Sequence, residues 1–468
     1  MREHTSGARR DGSENTIGRG PLAIDRTRLR LIVALALPII GAMVSQNVLN
    51  LVDTLMVSRL GTAAMAAVGI GNFANYMALA FVTGLSAGVQ AAAARRVGEG
   101  RLGEAAVPLN GGLVLVCAIA IPLTIILLVA TPALFPLLVD DPEVIAIGTP
   151  YLQCRLIGMV AVGANFAFRG YWNGVGKPGF YLRTLLVMHA SNVLFSYALI
   201  FGELGMPELG ATGAGIGTTA ATFLGTGYYA WLGRVHAGDA GFLRGLPSRV
   251  TMRTMVRVSV PSGLQQLFFA AGLTALFVLI GMVGTVELAA ANVLINLMLV
   301  VILPGLGLGI AAASLVGQAL GRKDIDDATR WGWDVVKVAT VVMTVLGLPL
   351  VLVPGLLLQP FFDPGVPAEA AALAAAIDPL RLMGATMALE AVGMVLLNAV
   401  LGAGATRIVL IVSVILQWVL FLPIVWLVGP GSGGGLMEIW LAQVGYRILQ
   451  AAIFAHLWRS RSWAHIQL

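Results

Sequence analysis

The sequence predicts an all-α, polytopic membrane protein. Hydrophobic residues make up 58% of the 468-residue chain and charged residues only 11%, whereas about 25% of a typical soluble domain is charged. The mean hydropathy is +0.88. The apolar residues fall into long segments, and the breaks between them are short and rich in glycine, proline or charge. These features exclude an ordinary soluble globular protein.

Twelve segments are apolar enough to cross a membrane, which takes about 20 residues of α-helix. We place them at 31–57, 63–93, 107–131, 150–170, 181–202, 213–233, 255–281, 288–319, 332–357, 379–401, 408–428 and 436–458. The segment 1–30 is polar and basic and lacks the apolar core of a signal peptide. We therefore expect cytoplasmic tails at 1–30 and 459–468.

The charged residues predict the topology. The net charge is +6, and lysine and arginine concentrate in the termini and in every second connection, while the other connections carry mainly acids. This positive-inside pattern predicts an even number of spans, with both termini on the cytoplasmic side of a cell inner membrane. It gives no sign of a nucleic-acid partner. The basic residues assigned to connections include Arg95, Arg96, Arg101, Arg169, Lys177, Arg183, Arg322 and Lys323.

The chain contains an internal repeat. A shift of 223 residues places the first two predicted helices on the seventh and eighth without a gap. Two six-helix copies that start on the same side are parallel repeats, related by a twofold axis along the membrane normal. We therefore predict an N-terminal lobe at 31–233, a cytoplasmic linker at 234–254 and a C-terminal lobe at 255–458. The pairs matched by the shift include Pro38 with Pro261, Gly84 with Gly307, and Gly98 with Gly321.

Two helices of the repeat are expected to begin at a capped proline. Thr149-Pro150 and Asp378-Pro379 have the pattern of an N-cap residue followed by a first-turn proline. Arg155 and Arg381 follow shortly afterwards, and we interpret them mainly as residues that extend to the interface or bind neighbouring carbonyls.

Asp53 is the first acid in the predicted membrane interior. A carboxylate in hydrocarbon is costly unless it faces a wet or polar interior, so by default it is functional. Gln46 and Asn50 precede it at helical spacing and share its stripe. The alternative is a stripe that only bonds a neighbouring helix. We interpret Asp53 as a site for a coupling proton or cation, with Gln46 and Asn50 lining a substrate cavity.

Glu390 is a second acid inside a predicted span. In the later part of the repeat the shift is 226 residues, which places Glu390 on Ala164, while the shift of 223 places Asp53 on Leu276. Each lobe therefore has one carboxylate that the other lacks. This asymmetry favours separate roles over shared packing. Glu390 is predicted to take up a proton or a cation; the alternative is a neutral acid bonded to a neighbouring helix.

The fifth predicted helix carries His189, Asn192 and Ser196 on one stripe. His189 either relays protons or makes a single structural hydrogen bond, and the side-chain oxygens of Asn192 and Ser196 are suited to completing a Na⁺ or H⁺ site. The sequence shows no enzymatic constellation, cofactor motif or metal-ligand spacing beyond a possible Na⁺ at Asp53. The C-terminal half of the substrate cavity is predicted to be lined by Gln265, Gln266, Asn292 and Asn296.

Several stretches resemble the multidrug and toxic compound extrusion family. They are LALPI with LVDTLMVSRLG and AAVGIGN in the first two helices, RRVGEGR, RGYWNGVGKP, GATGAGIGTTAAT, and VSVPSGLQQ in the second copy. The resemblance covers nearly the whole chain. It implies a two-lobed secondary transporter of twelve helices that exports organic cations and other amphipathic compounds in exchange for H⁺ or Na⁺.

The resemblance also implies roles for single residues. Asp53 matches the family's first-helix aspartate, Asn192 matches the fifth-helix asparagine beside it, and Glu390 stands where some bacterial members carry an aspartate. Two residues depart from the family pattern. Ser196 stands where several members have a second aspartate in the N-terminal lobe, and Phe269 stands where one branch has a glutamate in the seventh helix. A proton relay of two acids in the N-terminal lobe is therefore not expected in its usual form.

The sequence thus predicts an antiporter that exports amphipathic or cationic drugs or metabolites by alternating access. A flippase for a lipid-linked oligosaccharide is the alternative, although few arginines lie within the helices to bind a pyrophosphate. A membrane-embedded enzyme and a channel are less favoured. We expect a monomer in contact with membrane lipids and a small organic substrate.

Overall fold

The computed structural model describes residues 16–17 and 24–465, and its regular structure is helical apart from one pairing of short strands. Strand β1 (Thr16–Ile17) pairs antiparallel with β2 (Ile24–Asp25). This confirms the predicted all-α class. The helices are α1 (Arg26–Ser58), α2 (Thr62–Thr83), α3 (Leu85–Gly98), α4 (Val107–Leu134), α5 (Pro142–Ile157), α6 (Met159–Gly174), α7 (Gly179–Phe201), α8 (Gly210–Ala237), α9 (Arg249–Val283), α10 (Thr285–Gly321), α11 (Ile325–Leu352), α12 (Pro354–Leu358), α13 (Pro367–Gly402), α14 (Thr406–Val414), α15 (Leu422–Trp426) and α16 (Leu436–Ser460).

Every predicted span coincides with helical structure, but the count of twelve is not confirmed. In the part of the chain that the structure describes, nine helical segments are long and apolar enough to cross a membrane. The number is ten if α5 and α6, which meet at a bend of 43°, form one broken span. Helices α8 and α16 fall outside this set because their mean hydropathy is lower. Glycine and threonine lower it in α8, and charged and polar residues lower it in α16.

The first helix begins five residues earlier than predicted, at Arg26. Asp25 supplies the missing signal, because its Oδ1 accepts hydrogen bonds from the backbone N–H groups of Thr27 at 2.6 Å and Arg28 at 3.3 Å. These are the contacts of an N-cap residue. The bond from Thr27 holds the pKa of Asp25 below its ordinary value. The end of the predicted tail is therefore part of α1, while residues 1–15 and 18–23 lie outside the described residues.

Two predicted helix starts are wrong. Helix α5 begins at Pro142, where Asp141 accepts a hydrogen bond from the backbone N–H of Glu143 at 2.9 Å. Pro150 lies inside this helix. Helix α13 likewise begins at Pro367 and contains Pro379. A proline within a long helix is tolerated where neighbouring helices hold the backbone, so the later prolines did not mark the starts.

The buried apolar residues form one large cluster in the second half of the chain and smaller clusters in the first half. The large cluster joins α9, α10, α11, α13 and α16 and takes in Ile32, Leu35 and Ala36 of α1. In the first half, Phe168, Tyr171 and Trp172 of α6 lie at the centre of a cluster that also includes residues of α3, α7 and α8. Helix α1 therefore packs on both halves of the chain.

Contacts between the two halves follow the internal repeat. A Cβ on Gly84 would lie 2.5 Å from the backbone nitrogen of Gly263, and a Cβ on Gly307 would meet the side chain of Ile40 at 2.5 Å. Gly84 and Gly307 are repeat equivalents, and so are Ile40 and Gly263 under the same shift of 223 residues. Residue pairs that contact reciprocally are the sign of a twofold interface. Helices α2 and α3 therefore meet α9 much as α10 meets α1.

The two halves are in close contact at one end of the bundle, which we call the closed end. It is the end at which α1 begins and α3 and α10 finish. There the backbones of α3 and α10 touch, because a Cβ on Gly98 would lie 2.8 Å from the Cα of Gly321. Gln318 Nε2 also donates to the backbone oxygen of Gly174 at 2.9 Å.

Candidate functional site

Asp53 is bound by the neutral side chain of Asn192. Asn192 Nδ2 lies 3.0 Å from both carboxylate oxygens of Asp53, and Ser196 Oγ donates to Asn192 Oδ1 at 3.1 Å. Asn192 and Ser196 are buried, whereas Asp53 is half-buried. Asp53 forms no ion pair within 4.0 Å among the described residues, although Arg155 interacts with it electrostatically. The structure thus brings together three residues that the sequence placed on two separate helices.

His189 and Gln46 form a second link between α1 and α7. His189 Nε2 lies 3.1 Å from Gln46 Oε1, and His189 Nδ1 lies 3.1 Å from Ser45 Oγ. Gln46 Nε2 in turn donates to Asn50 Oδ1 at 3.1 Å. The polar stripe of α1 therefore faces the polar stripe of α7 along two turns. Both ring nitrogens of His189 have neutral partners, and the contact with Ser45 was not predicted.

Glu390 forms a buried ion pair with Arg447. Glu390 Oε1 on α13 lies 2.8 Å from Arg447 Nε on α16, and the two side chains are 5% and 15% exposed. The contact is an ion pair by distance and lacks the alignment of a hydrogen bond. Arg447 Nη1 also donates to Gln450 Oε1 at 3.0 Å. The sequence gave no partner for Glu390, although an acid and a base in apolar helices are expected to pair.

A cavity of about 380 Å³, which we call the central cavity, lies between the two halves. Residues of α1, α2, α3 and α6 line it on one side, and residues of α9, α10, α13 and α16 on the other. Gln265 and Gln266, which the sequence analysis assigned to a substrate cavity, are part of this lining. The other polar or charged lining residues include Ser86, Gln90, Arg169, Asn398, Gln417, Arg447 and Gln450.

A second cavity of about 360 Å³, which we call the side cavity, lies among the helices of the first half and is bounded by Leu303 of α10. Gln46 and Asn192 line it, and Asn192 therefore connects this cavity to Asp53. Met43 and Arg169 lie on the walls of both cavities.

The two asparagines predicted for the second half of the cavity lie elsewhere. Asn292 and Asn296 are exposed on α10 and do not line either cavity. Asn296 Nδ2 donates to Asn292 Oδ1 at 2.7 Å. Their spacing of four residues lets the two side chains bond to each other along the helix.

Arg169 is the main cavity residue that sequence reasoning missed. Its charge assigned it to a connection, whereas the structure places it inside α6, five residues before that helix ends. Its Nε donates to Ser86 Oγ at 3.3 Å, and its guanidinium carbon lies 4.3 Å from the centre of the Phe166 ring. The helical segment MVAVGANFAFRGYWNG carried the signal, because it continues without a break beyond the arginine.

Within the described ranges, no group of three or more His, Cys, Asp or Glu side chains is arranged to hold a metal ion. At Asp53 a carboxylate lies beside an amide and a hydroxyl, but the Asn192 amide faces the carboxylate with its Nδ2 and faces Ser196 with its Oδ1. The amide would have to rotate before its oxygen joined the carboxylate around a single small cation. Hard cations such as Na⁺ take oxygen ligands of this kind.

A bundle of apolar helices around a cavity between two related halves is the architecture of a multi-pass membrane transporter. Comparison with known families agrees. The family model described as MatE matches residues 38–198 and 261–427, which is more than half of the chain, so the chain belongs to the MatE family. The two matches begin at Pro38 and Pro261, the prolines paired by the repeat.

Curated relatives in this family are named as multidrug resistance proteins. The chain is 28% identical over 431 residues to a probable multidrug resistance protein NorM from a Synechococcus species, covering 89% of this chain and 91% of the relative. It is 27% identical over 423 residues to a protein of the same name from Deinococcus radiodurans, covering 90% and 92%. Both relatives are named for multidrug resistance, and neither name is that of an enzyme.

Solved structures share the fold. An outward-facing multidrug resistance MATE family transporter of the MOP superfamily superimposes with a TM-score of 0.86 at 22% identity, covering 94% of this chain and 97% of the other. A MOP superfamily transporter from Pyrococcus furiosus superimposes with a TM-score of 0.85 at 21% identity, covering 93% and 96%. The chain therefore belongs to the MatE family and has the fold of these membrane transporters.

Proposed function

We propose that the protein is a secondary active antiporter that exports amphipathic or cationic drugs or metabolites in exchange for H⁺ or Na⁺. In this proposal it needs no cofactor and works as a monomer in the cell inner membrane, with both termini cytoplasmic. The names of the relatives support drug export and do not favour a lipid-linked oligosaccharide flippase. The coupling ion and the substrate class are our own inference.

The state of Asp53 is the observation that carries the proposal. Its carboxylate is half-buried and bound by the amide of Asn192, yet it has no ion-pair partner within 4.0 Å among the described residues. A buried carboxylate without a paired cation gains from binding either a proton or a metal cation. We assign the coupling site to Asp53, Asn192 and Ser196.

Glu390 and His189 are weaker candidates for coupling. Arg447 already neutralises Glu390, so Glu390 takes a coupling role only in a state in which Arg447 has moved away. His189 relays protons only if it exchanges one of its two neutral partners, Ser45 and Gln46. Asp53 needs no such rearrangement.

Alternating access requires the coupling ion and the substrate to bind differently to two arrangements of the halves. We propose that the lobes 31–233 and 255–458 rock against each other about the contacts that follow the repeat. The closed end carries Arg95, Arg96 and Arg322, so by the positive-inside rule it faces the cytoplasm. In this assignment the central cavity belongs to an outward-facing state.

The test is dye uptake into everted membrane vesicles, whose lumen corresponds to the cell exterior, with a pH gradient and a Na⁺ gradient imposed separately and cationic dyes as substrates. An antiporter moves the dye only when one of the gradients is present. One-for-one exchange of a monovalent cationic dye for H⁺ or Na⁺ moves no net charge, so the ion's concentration gradient alone drives it. A neutral dye exchanged for one ion moves one net charge, and a membrane potential of 100 mV then supplies about 2.3 kcal/mol, which corresponds to about a fiftyfold dye gradient. Dye transport that ignores both gradients would refute antiport, and a current that does not saturate with dye would indicate a channel.

A further inference from the structure

The walls of the two cavities carry positive charge and no negative charge. Arg169 lies on the walls of both, Arg447 on that of the central cavity and Arg155 on that of the side cavity. All lining residues belong to the part of the chain that the structure describes, and none of them is aspartate or glutamate.

The three arginines differ in how their charge is balanced. Glu390 lies 2.8 Å from Arg447 behind the central cavity and neutralises it. Arg155 interacts electrostatically with Asp53. Arg169 has no carboxylate within 4.0 Å among the described residues. Its guanidinium instead contacts the hydroxyl of Ser86 and lies near the rings of Phe166 and Tyr181.

Arg169 can bind a further group. A guanidinium has five N–H donors, and Ser86 takes one of them, at 3.3 Å. Helix α6 fixes the stem of the side chain between the two cavities, and the ring of Phe166 packs 4.3 Å from the guanidinium carbon. A guanidinium packed against this ring keeps its other N–H groups for an acceptor, and carboxylate and phosphate oxygens match its geometry.

The walls around Arg169 fit an amphipathic molecule. The side cavity has about 360 Å³, within the range of about 300–1,000 Å³ usual for small-molecule sites. Apolar and aromatic side chains dominate its walls, with a few amides and hydroxyls for orientation. The apolar and aromatic residues include Phe166, Tyr181, Leu185, Met188 and Tyr229.

We propose that Arg169 binds an anionic group, a carboxylate or a phosphate, on an amphipathic substrate whose apolar body lies in the cavities. The inference rests on the proposed export function and narrows its substrate class. Molecules that carry an acidic group, including zwitterions, are favoured over organic cations without one. Such a cation would meet the unbalanced charge of Arg169, which is costly in a cavity of low dielectric constant.

The test is equilibrium binding of two matched dyes to the purified full-length protein in detergent, followed by fluorescence anisotropy. Rhodamine B and its ethyl ester share a cationic ring system, and only rhodamine B has a free carboxylate. The protein is expected to bind rhodamine B about tenfold more tightly, as one charge-assisted hydrogen bond predicts. Arg169→Gln abolishes this preference and binds the ester at least as tightly as the unmodified protein does, because the repulsion between the two positive charges is removed. Arg169→Lys keeps part of the preference because it keeps the charge.

Arg183→Gln is the matched control, since Arg183 is exposed on α7 and lines neither cavity. Equal binding of the two dyes by the unmodified protein would overturn the proposal. So would an Arg169→Gln variant that loses both dyes equally, or an Arg169→Lys variant that fails to fold, since either would give Arg169 a structural role.

A competition arm identifies the source of the anion. Displacement of rhodamine B by short-chain phosphatidylglycerol, lost in Arg169→Gln, would support the site with a lipid headgroup as its ligand. Absence of displacement would support the site with a soluble amphipathic acid. The binding assay in detergent uses no ion gradient, so its result does not depend on the antiport mechanism. If gradient-driven transport fails in vesicles while the purified protein still prefers rhodamine B, the antiport mechanism is refuted and the anion site is supported.

Discussion

Gly98 and Gly321 are equivalent residues of the two repeats, and they touch each other. A Cβ on either would lie 2.8 Å from the Cα of the other, closer than side chains approach a backbone. Two residues that are related by a twofold axis and also in contact must lie at that axis. The closed end is therefore the place where the pseudosymmetry axis passes between α3 and α10, and neither position has room for a side chain.

The first prediction is that Gly98→Ala opens the closed end. An added methyl group would overlap the backbone of α10, and overpacking of this kind costs about 1–3 kcal/mol, which shifts the balance between closed and open states by about tenfold. Spin labels at Arg101 and Lys323, in a variant with Cys117 and Cys154 replaced by alanine, measure the separation of the two halves. The mean distance between the labels is expected to increase.

Gly103→Ala is the control for this experiment. A Cβ on Gly103 would come no closer than 3.8 Å to Asp239, which is ordinary contact. The distance between the labels should stay unchanged in this variant. An unchanged distance in Gly98→Ala as well would show that the contact with Gly321 does not hold the closed end.

The second prediction concerns the ion pairs that join α1 to α11 at the same end. Arg28 lies 2.6 Å from Asp334 and 2.7 Å from Asp327, and its guanidinium carbon is 3.6 Å from the ring centre of Trp331. The side chains of Arg28, Asp327 and Asp334 are 13–23% exposed. A double-mutant cycle with Arg28→Gln and Asp334→Asn should give a coupling energy of about 1–2 kcal/mol, measured by equilibrium unfolding in mixed detergent.

The same cycle on Arg461 and Asp326 is the matched comparison. Their ion pair is 2.8 Å long but about half exposed or more, so its coupling energy should lie below about 1 kcal/mol. Equal coupling energies for the two pairs would mean that Arg28 contributes nothing specific to the closed end.

The fold could be predicted from the sequence because hydrophobicity and repeat patterns are local or periodic. The apolar segments gave the positions of the helices, and the shift of 223 residues paired Gly98 with Gly321 before any contact between them was known. The break at Gly84 was missed because a helix that stops and resumes in the same apolar segment leaves no polar boundary. The start of α1 was missed because Asp25 was counted with the basic tail rather than as a cap.

The candidate site could be predicted only in part. Asp53 and Asn192 could be predicted because an acid or an amide in an apolar helix is recognisable from the sequence of that helix alone. The partners of Glu390 and His189 depend on which helices are neighbours in the bundle. The periodicity of a single helix shows which residues share a face, but not which helix packs against that face. Arg169 was misassigned for a related reason, since a positive charge near a helix end marks a connection as often as a cavity wall.

The third prediction is that Asp53→Asn folds but loses coupled efflux. Replacing the carboxylate by an amide keeps the size of the side chain and removes the charge that a proton or Na⁺ would balance. Efflux driven by a gradient should fall at least tenfold in vesicles, while the midpoint of thermal unfolding changes little. Glu143→Gln, which removes an exposed acid at the start of α5, should keep full activity. Full efflux in Asp53→Asn would remove Asp53 from the coupling site.

The fourth prediction separates a structural role of Glu390 from a role in coupling. Glu390 and Arg447 are both largely buried, so Glu390→Gln alone or Arg447→Gln alone leaves one uncompensated charge and should destabilise the fold by about 3–5 kcal/mol. The double variant leaves no buried charge, and its loss should be well below the sum of the two single losses. We expect the double variant to retain gradient-driven dye export, measured in vesicles, because the coupling carboxylate that we propose is Asp53. If the double variant is as stable as the unmodified protein and yet has lost gradient-driven efflux, Glu390 takes part in coupling and Arg447 must release it during the transport cycle.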